Sequence, residues 1–132
     1  MHANAAAVVE ACNAGSESGA MRFPDVLAQL AAIGCEGYLT DFRRGAKTFY
    51  FGAEALETKS IKPDAEIAER FDAAGVEAAV RRSQAGAHTY PDFCREAMEA
   101  GCAAYMVSIA GRRVLYFGRT AEIFVEPFPS KD

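Results

Sequence analysis

A hairpin-like stretch that occurs twice constrains this 132-residue chain more than any other feature. The two stretches are residues 34–52 and 101–118, and each has a Gly-Cys start, a central tyrosine, a glycine-containing turn and an aromatic second strand. Because successive side chains of a strand point to opposite faces, the alternation in both stretches predicts two equivalent β-hairpins. A repeat of this kind decides the architecture of the whole chain.

The similarity extends beyond the hairpins and predicts an internal duplication. With one gap at the hairpin turn, residues 6–52 align with residues 73–118. The matching residues include Gly19/Gly86, Pro24/Pro91, Asp25/Asp92, Gly34/Gly101, Cys35/Cys102, Tyr38/Tyr105, Gly45/Gly111, Tyr50/Tyr116 and Gly52/Gly118. Proline followed by aspartate is typical of a first helical turn, and a glycine supplies the C-terminal stop.

The first helix differs between the two repeats. In the first repeat we expect a short alanine-rich helix from Ala5 to about residue 14. In the second repeat a helix-start signal at Pro63 precedes Ile67, Phe71, Val76 and Val80 at near-helical spacing, which predicts a longer helix. The alternative is two helices divided at Gly75. Third strands are predicted around residues 55–61 and 122–126.

Each repeat is therefore an α-α-β-β-β unit, and two of them predict an α+β fold. We expect a single domain, residues 1–132, built from repeats at about 5–61 and 64–128. We expect an antiparallel sheet of about six strands with helices packed on one face. The predicted strands look apolar on both faces, so the second face either encloses a pocket or meets a partner.

Composition limits the classes of function. The net charge of −4 disfavours binding to nucleic acid and to anionic membranes. The apolar runs are much shorter than the roughly 20 residues of a membrane helix, and no signal-peptide pattern is present. We therefore expect a cytoplasmic protein with reduced thiols and no membrane association. No glycine-rich phosphate motif or other cofactor motif occurs, so no cofactor is expected.

The cysteines and His88 give two chemical hypotheses. Cys94 or Cys102 with His88 would form a nucleophilic pair. Cys94, Cys102 and His88 together would form a partial metal site. The spacing favours buried, unreactive thiols instead, because no Cys-x-x-Cys motif occurs. A disulfide between Cys35 and Cys102 across the axis of the repeat is an alternative that needs an oxidising compartment.

The most suggestive polar residues are arginines in the two hairpin turns, with tyrosines on the adjoining strands. Arginine presents a planar fork to carboxylate or phosphate groups, although charged turns also protect sheet edges from pairing. The candidate ligand-binding or partner-binding residues are Tyr38, Tyr50, Tyr105, Tyr116, Arg43, Arg44, Arg112 and Arg113.

One stretch resembles a known family. The pattern Tyr90-Pro91-Asp92-Phe93-Cys94, followed by Gly101-Cys102 and a hairpin ending Tyr116-Phe117-Gly118, is similar to the YdfO-like family of small bacterial and prophage-borne proteins, often labelled phage-envelope-like. The resemblance covers nearly the whole chain and is clearest over residues 65–128. It implies an α+β fold and brings no established activity or catalytic residues.

These observations lead to three hypotheses. The first is a non-catalytic binding module that holds a small ligand or a protein partner on the second sheet face. The second is an assembly protein, a homodimer that packs through the sheet, with a phage association implied by the resemblance. The third is a small thiol-dependent enzyme that uses Cys94 or Cys102 with His88. The absence of a convergent catalytic set favours the first.

Overall fold

A computed structural model describes residues 1–129. The elements follow in the order α1 (Ala5–Ser18), α2 (Phe23–Ala32), β1 (Gly37–Asp41), β2 (Ala46–Phe51), β3 (Glu54–Lys59), α3 (Ala73–Gln84), α4 (Tyr90–Glu99), β4 (Cys102–Ser108), β5 (Arg113–Gly118) and β6 (Ile123–Pro127). The predicted α+β class is confirmed. The first half, residues 5–59, and the second half, residues 73–127, have the same α-α-β-β-β order. Their origin by duplication stays a prediction.

Proline-aspartate pairs begin the second helix of each half. In α4, the Thr89 hydroxyl accepts a hydrogen bond from the Asp92 amide, and the Asp92 carboxylate accepts one from the Thr89 amide at 3.2 Å. In α2, the Asp25 carboxylate accepts a bond from the Arg22 amide at 3.1 Å. These bonds satisfy amides that have no partner within the first helical turn.

Residues 60–72 correct the prediction of a helix that starts at Pro63. The helix α3 begins only at Ala73, after Asp72 as its N-terminal cap. Upstream of it, the Ala68 and Asp72 amides donate to carbonyl groups at the C-terminal end of α4. Those amides are therefore not available for helical hydrogen bonds one turn back. The apolar side chains of the segment still pack against the core.

The six strands form one antiparallel sheet in the order β3-β2-β1-β4-β5-β6. The first strands of the two halves pair at its centre, where Leu39 lies opposite Met106. These two residues hold the same place in the two hairpins, so an approximate twofold axis passes between them. The turns that follow β1 and β4 consequently lie at opposite ends of the sheet.

The two hairpins correspond without the gap that the sequence alignment introduced. Tyr38 lies opposite Phe49, and Tyr105 lies opposite Tyr116. Tyr116 therefore corresponds to Phe49, not to Tyr50 as the alignment predicted. Since neighbouring strand residues face opposite sides, Tyr50 and Tyr116 lie on different faces of the sheet.

The helices form one layer on one side of the sheet. Helix α1 contacts α2 and α4, and α3 contacts α4. The buried side chains that face this layer define the inner face. They are Tyr38, Thr40, Lys47, Phe49, Phe51, Thr58, Tyr105, Val107, Val114 and Tyr116 of the strands and Phe42 of the first turn. Their alternation with less buried residues sets the two faces apart.

The other side of the sheet, called the open face below, bears no helix among residues 1–129. Its outward positions follow from strand alternation and register. They are Gly37, Leu39, Asp41, Ala46, Thr48, Tyr50, Ala55, Glu57, Lys59, Ala104, Met106, Ser108, Arg113, Leu115, Phe117, Ile123, Val125 and Pro127.

Candidate functional site

The four predicted arginines lie at two opposite ends of the sheet. Arg43 and Arg44 are in the β1–β2 turn, whereas Arg112 is in the β4–β5 turn and Arg113 begins β5. The antiparallel pairing of β1 with β4 separates the two turns by the length of the strands. The structure therefore does not bring these arginines into one anion-binding patch, and a role for either pair in binding stays a prediction.

Three of these arginines have partners close by. The Arg44 guanidinium forms a 2.7 Å ion pair with Glu57, and both side chains are exposed. The Arg112 guanidinium lies 5.6 Å from the centre of the Phe128 ring. Arg113 donates from Nε to a carbonyl group within its own turn, at 3.2 Å. Exposed contacts of this kind contribute little stability, and they hold the turn side chains near the sheet ends.

The candidate tyrosines are divided between the two faces. Tyr38, Tyr105 and Tyr116 are buried on the inner face beneath the helices. Burial raises the pKa of all three hydroxyls well above the usual range. Only Tyr50 lies on the open face, where it is half-buried. The tyrosines thus form no common exposed surface.

All four cysteines are buried and carry free thiols. Burial raises the pKa of Cys94 to about 11 and that of Cys102 to about 12. Thiols with such pKa values are poor nucleophiles at neutral pH. Cys35 and Cys102 lie at opposite ends of the paired central strands, so the disulfide considered from the sequence is not possible.

His88 lies beside Glu96, not beside a cysteine. Its Nε2 atom is 3.2 Å from Glu96 Oε2, without the geometry of a hydrogen bond, and its ring packs edge-on to Phe93. Cys94 instead neighbours Tyr90 and Lys47. The structure does not assemble the predicted Cys–His pair. Within residues 1–129, no three His, Cys, Asp or Glu side chains converge to hold a metal ion.

The open face carries a row of apolar side chains that crosses four strands. Leu39 lies opposite Met106, Met106 opposite Leu115, and Leu115 opposite Val125. Val125 is 39% exposed, and Ile123 on the same edge strand, β6, is 54% exposed. This arrangement leaves a continuous apolar surface on the side of the sheet away from the helices.

A buried lysine is the site residue that the sequence reasoning missed. Lys47 of β2 is only 3% exposed and lies under the helix layer. No carboxylate within residues 1–129 is at ion-pair distance from its ammonium group. Burial lowers the pKa of Lys47 to about 8. Its alternation with Phe49 and Phe51, which share its face, was the signal that could have placed it inside.

Aromatic rings and hydroxyls surround this lysine. Lys47 Nζ lies 4.6 Å from the centre of the Tyr90 ring, a cation–π contact that joins β2 to α4. The Tyr90 hydroxyl is 2.6 Å from the Tyr105 hydroxyl. Thr40 Oγ1 is buried near Tyr105 but has no hydrogen bond of normal geometry. The second half thus contributes a helix and a strand to the surroundings of a lysine from the first half.

A small cavity adjoins the lysine between the helices and the sheet. It has room for about one water molecule and is partly open to the surface. Its lining consists of Cys12, Asn13, Ser16, Val26, Tyr38, Lys47 and Phe49. Ser16 is half-buried, whereas the other lining residues are buried.

Comparison with protein-family models adds a classification to this geometry. Residues 15–127 match the family described as "Protein of unknown function (DUF1398)". The chain belongs to the DUF1398 family. The match includes all six strands of the sheet.

The family match confirms the prediction of an uncharacterised family. The YdfO-like name and the phage label stay predictions. No curated protein matches the chain. Among residues 1–129, none of the helices combines the length and the apolar character that crossing a membrane requires.

Proposed function

We propose that this DUF1398 protein is a non-catalytic binding module that pairs with a second copy of itself through the open face. The observation that carries the proposal is the apolar row formed by Leu39, Met106, Leu115 and Val125, on the side of the sheet without helices. Contiguous apolar surface of this kind marks sites of association.

The size of the open face fits a dimer interface. Six strands spaced by about 4.8 Å, each with three outward residues about 6.8 Å apart, give roughly 600 Å² per copy. Two copies would bury roughly 1,200 Å² in total, at the lower limit of a standard-size interface. A sheet packed face to face with another sheet is a common arrangement in proteins.

The charge of the open face also favours a second copy as the occupant. Its outward positions include two acidic residues, Asp41 and Glu57, and two basic residues, Lys59 and Arg113. The face is therefore neutral, although the chain as a whole has a net charge of −4. Two such faces would meet without net repulsion, and opposite charges would be available at the rim.

The alternative functions have less support. A thiol enzyme would need a reactive cysteine, and burial raises the pKa of all four thiols. A module for a larger organic ligand would need a roomy pocket, whereas the cavity beside Lys47 accommodates about one water molecule. The link to YdfO-like and phage-borne proteins adds no mechanism to either alternative.

The test is the concentration dependence of the molar mass in solution. Sedimentation velocity from low micromolar to millimolar concentration should give a dimer for the unmodified protein. Val125→Glu and Met106→Lys place a charge on the apolar row and should shift the protein to monomer. Val125 lies on the edge strand β6 and is partly exposed, so this substitution is the one least able to disturb folding.

Ala31→Glu is the matched control, because Ala31 is exposed on helix α2 and lies on the helix side of the sheet. This variant should dimerise as the unmodified protein does. The proposal would be contradicted if the unmodified protein stayed monomeric over the whole concentration range. Equal dimerisation of Val125→Glu and Met106→Lys, both folded by circular dichroism, would move the interface away from the open face.

A further inference from the structure

We propose that the cavity beside Lys47 is a binding site for a small anion, either a halide ion or one oxygen-bearing end of a carboxylate or phosphate group. The site lies on the helix side of the sheet and is independent of the open face. It rests on three observations: an unpaired buried ammonium group, a lining that includes hydrogen-bond donors, and a volume that suits a single atom-sized ligand.

Three of the lining side chains can donate hydrogen bonds. Lys47 supplies an ammonium group, Tyr38 a phenolic hydroxyl and Ser16 an aliphatic hydroxyl. None of the residues that line the cavity is acidic. A cavity with one cation, two hydroxyl donors and no carboxylate is complementary to negative charge.

The surrounding charges leave the ammonium group without a counterion. Glu17 is the acidic residue that attracts Lys47 from the end of α1, but its carboxylate accepts hydrogen bonds from the Ile61 amide at 2.8 Å and from the Ser60 hydroxyl. Cys94 lies on the other side, and burial keeps its thiol protonated at neutral pH. The Tyr90 ring offers only the weaker attraction of its π face.

One feature of the cavity favours water over an anion. Asn13 Oδ1 is buried without a hydrogen-bond partner, while its Nδ2 donates to the Lys59 carbonyl at 2.8 Å. A water molecule that bridges Lys47 and Asn13 Oδ1 is therefore the competing occupant. The positive charge of Lys47 favours an anion over water as the occupant, because an uncompensated buried charge costs more free energy than an unpaired amide oxygen.

The volume and the opening define the class of anion. Space for about one water molecule admits a halide ion, which is larger than water, only if the lining side chains move apart slightly. It admits a larger oxyanion only if a single oxygen atom enters while the rest of the group stays outside. The experiment therefore compares chloride, formate and phosphate as separate probes.

The test measures the melting temperature at constant ionic strength while sodium gluconate is replaced by sodium chloride, formate or phosphate. An anion that binds only the folded protein should raise the melting temperature by about 5 °C for each tenfold increase above its dissociation constant. Lys47→Met and Tyr38→Phe should lose this response. Arg119→Met, which removes an exposed cation between β5 and β6, away from the cavity lining, should keep it.

Diffraction from crystals soaked in sodium bromide gives a second readout that does not depend on folding of the variants. An anomalous peak beside Lys47 Nζ would support a halide site, and a response to formate or phosphate alone would assign an oxyanion. Water at this position with bromide present, together with equal melting temperatures in all four salts, would overturn the proposal. A response that Lys47→Met and Arg119→Met share would show that the effect is surface screening, and it would overturn the proposal as well.

Discussion

Arg112 occupies the turn position in the second hairpin that Gly45 occupies in the first, and both residues have a positive φ, 53° and 61°. This region of backbone conformation is unstrained for glycine, whereas it costs a residue with a Cβ roughly 1–2 kcal/mol. In this conformation the Arg112 amide donates a hydrogen bond to the Ile109 carbonyl, and the Arg112 side chain packs on Phe128.

Replacement of Arg112 by glycine should therefore stabilise the protein. We expect Arg112→Gly to raise the free energy of unfolding by about 0.5–1 kcal/mol, since relief of the backbone strain exceeds the loss of an exposed contact. Urea denaturation followed by circular dichroism measures the change. Arg112→Ala is the matched control, because it removes the same side chain but keeps the strain, and it should not stabilise. Equal gains for both variants would show that the side chain, not the backbone, is the source.

The buried lysine should make stability depend on pH in the alkaline range. The pKa of Lys47 falls from 10.5 to about 8 on folding, so between these values the unfolded chain binds more protons than the folded protein. Stability therefore increases as the pH rises from about 8 to above 10.5, and the lysine costs about 3 kcal/mol below pH 8.

Comparison with a variant that lacks the amine isolates this contribution. Lys47→Met should be more stable than the unmodified protein at pH 7, and the difference should shrink between pH 8 and pH 10. Urea denaturation at pH 8 and pH 10 measures this difference in stability. The buffers contain gluconate, because gluconate is too large to enter the cavity. A difference that does not change with pH would mean that Lys47 titrates normally.

The hydroxyl pair of Tyr90 and Tyr105 should contribute to stability as a unit. The two oxygen atoms are 2.6 Å apart in a buried region that joins α4 to β4. Tyr105→Phe leaves the Tyr90 hydroxyl without this partner and should cost about 1–2 kcal/mol. Tyr90→Phe leaves the Tyr105 hydroxyl without this partner and should cost a similar amount, since Thr40 Oγ1 lies near Tyr105 without a hydrogen bond.

A double-mutant cycle separates the hydrogen bond from other effects of the two substitutions. The doubly substituted protein, Tyr90→Phe with Tyr105→Phe, should be more stable than the sum of the single losses predicts, because no hydroxyl is left unpaired. The expected coupling is about 1 kcal/mol. Additive losses would indicate that the two hydroxyls do not bond to each other in solution.

The four cysteines should resist modification in the folded protein. All are buried, and burial raises the pKa of each thiol. We expect no fast reaction with Ellman's reagent at pH 7 and the reaction of four thiols per chain in guanidinium chloride. One thiol that reacts within seconds in the native protein would restore the thiol-enzyme hypothesis and identify its nucleophile.

The fold was largely predictable from the sequence because its signals are local. Pro24-Asp25 and Pro91-Asp92 begin helices through hydrogen bonds within one turn, and strand alternation needs only the neighbouring residues. The segment that starts at Pro63 was predicted wrongly, because its amides bond to the end of α4. No local pattern reveals a partner that is distant in sequence.

The candidate site was harder to predict for a related reason. Lys47 lies in a strand whose other inward-facing residues, Phe49 and Phe51, are apolar, and a lysine is rarely predicted to be in a core. Its burial depends on Tyr90 from the other half of the chain, which the sequence of the first hairpin does not contain. The placement of Tyr50 and Tyr116 on different faces depended on a single gap in the alignment, because a shift of one residue reverses the face of a strand.

In the central pairing of β1 with β4, each half covers a strand edge that the other half would expose on its own. A half on its own would present the full length of its first strand, with backbone amides and carbonyls free to pair. The first strand of such a half would pair instead with the first strand of a second copy of the same half, in the antiparallel register in which Leu39 and Met106 now pair. A chain severed in the connecting residues 60–72 would accordingly keep its two pieces together as a complex, and either piece alone would assemble with itself.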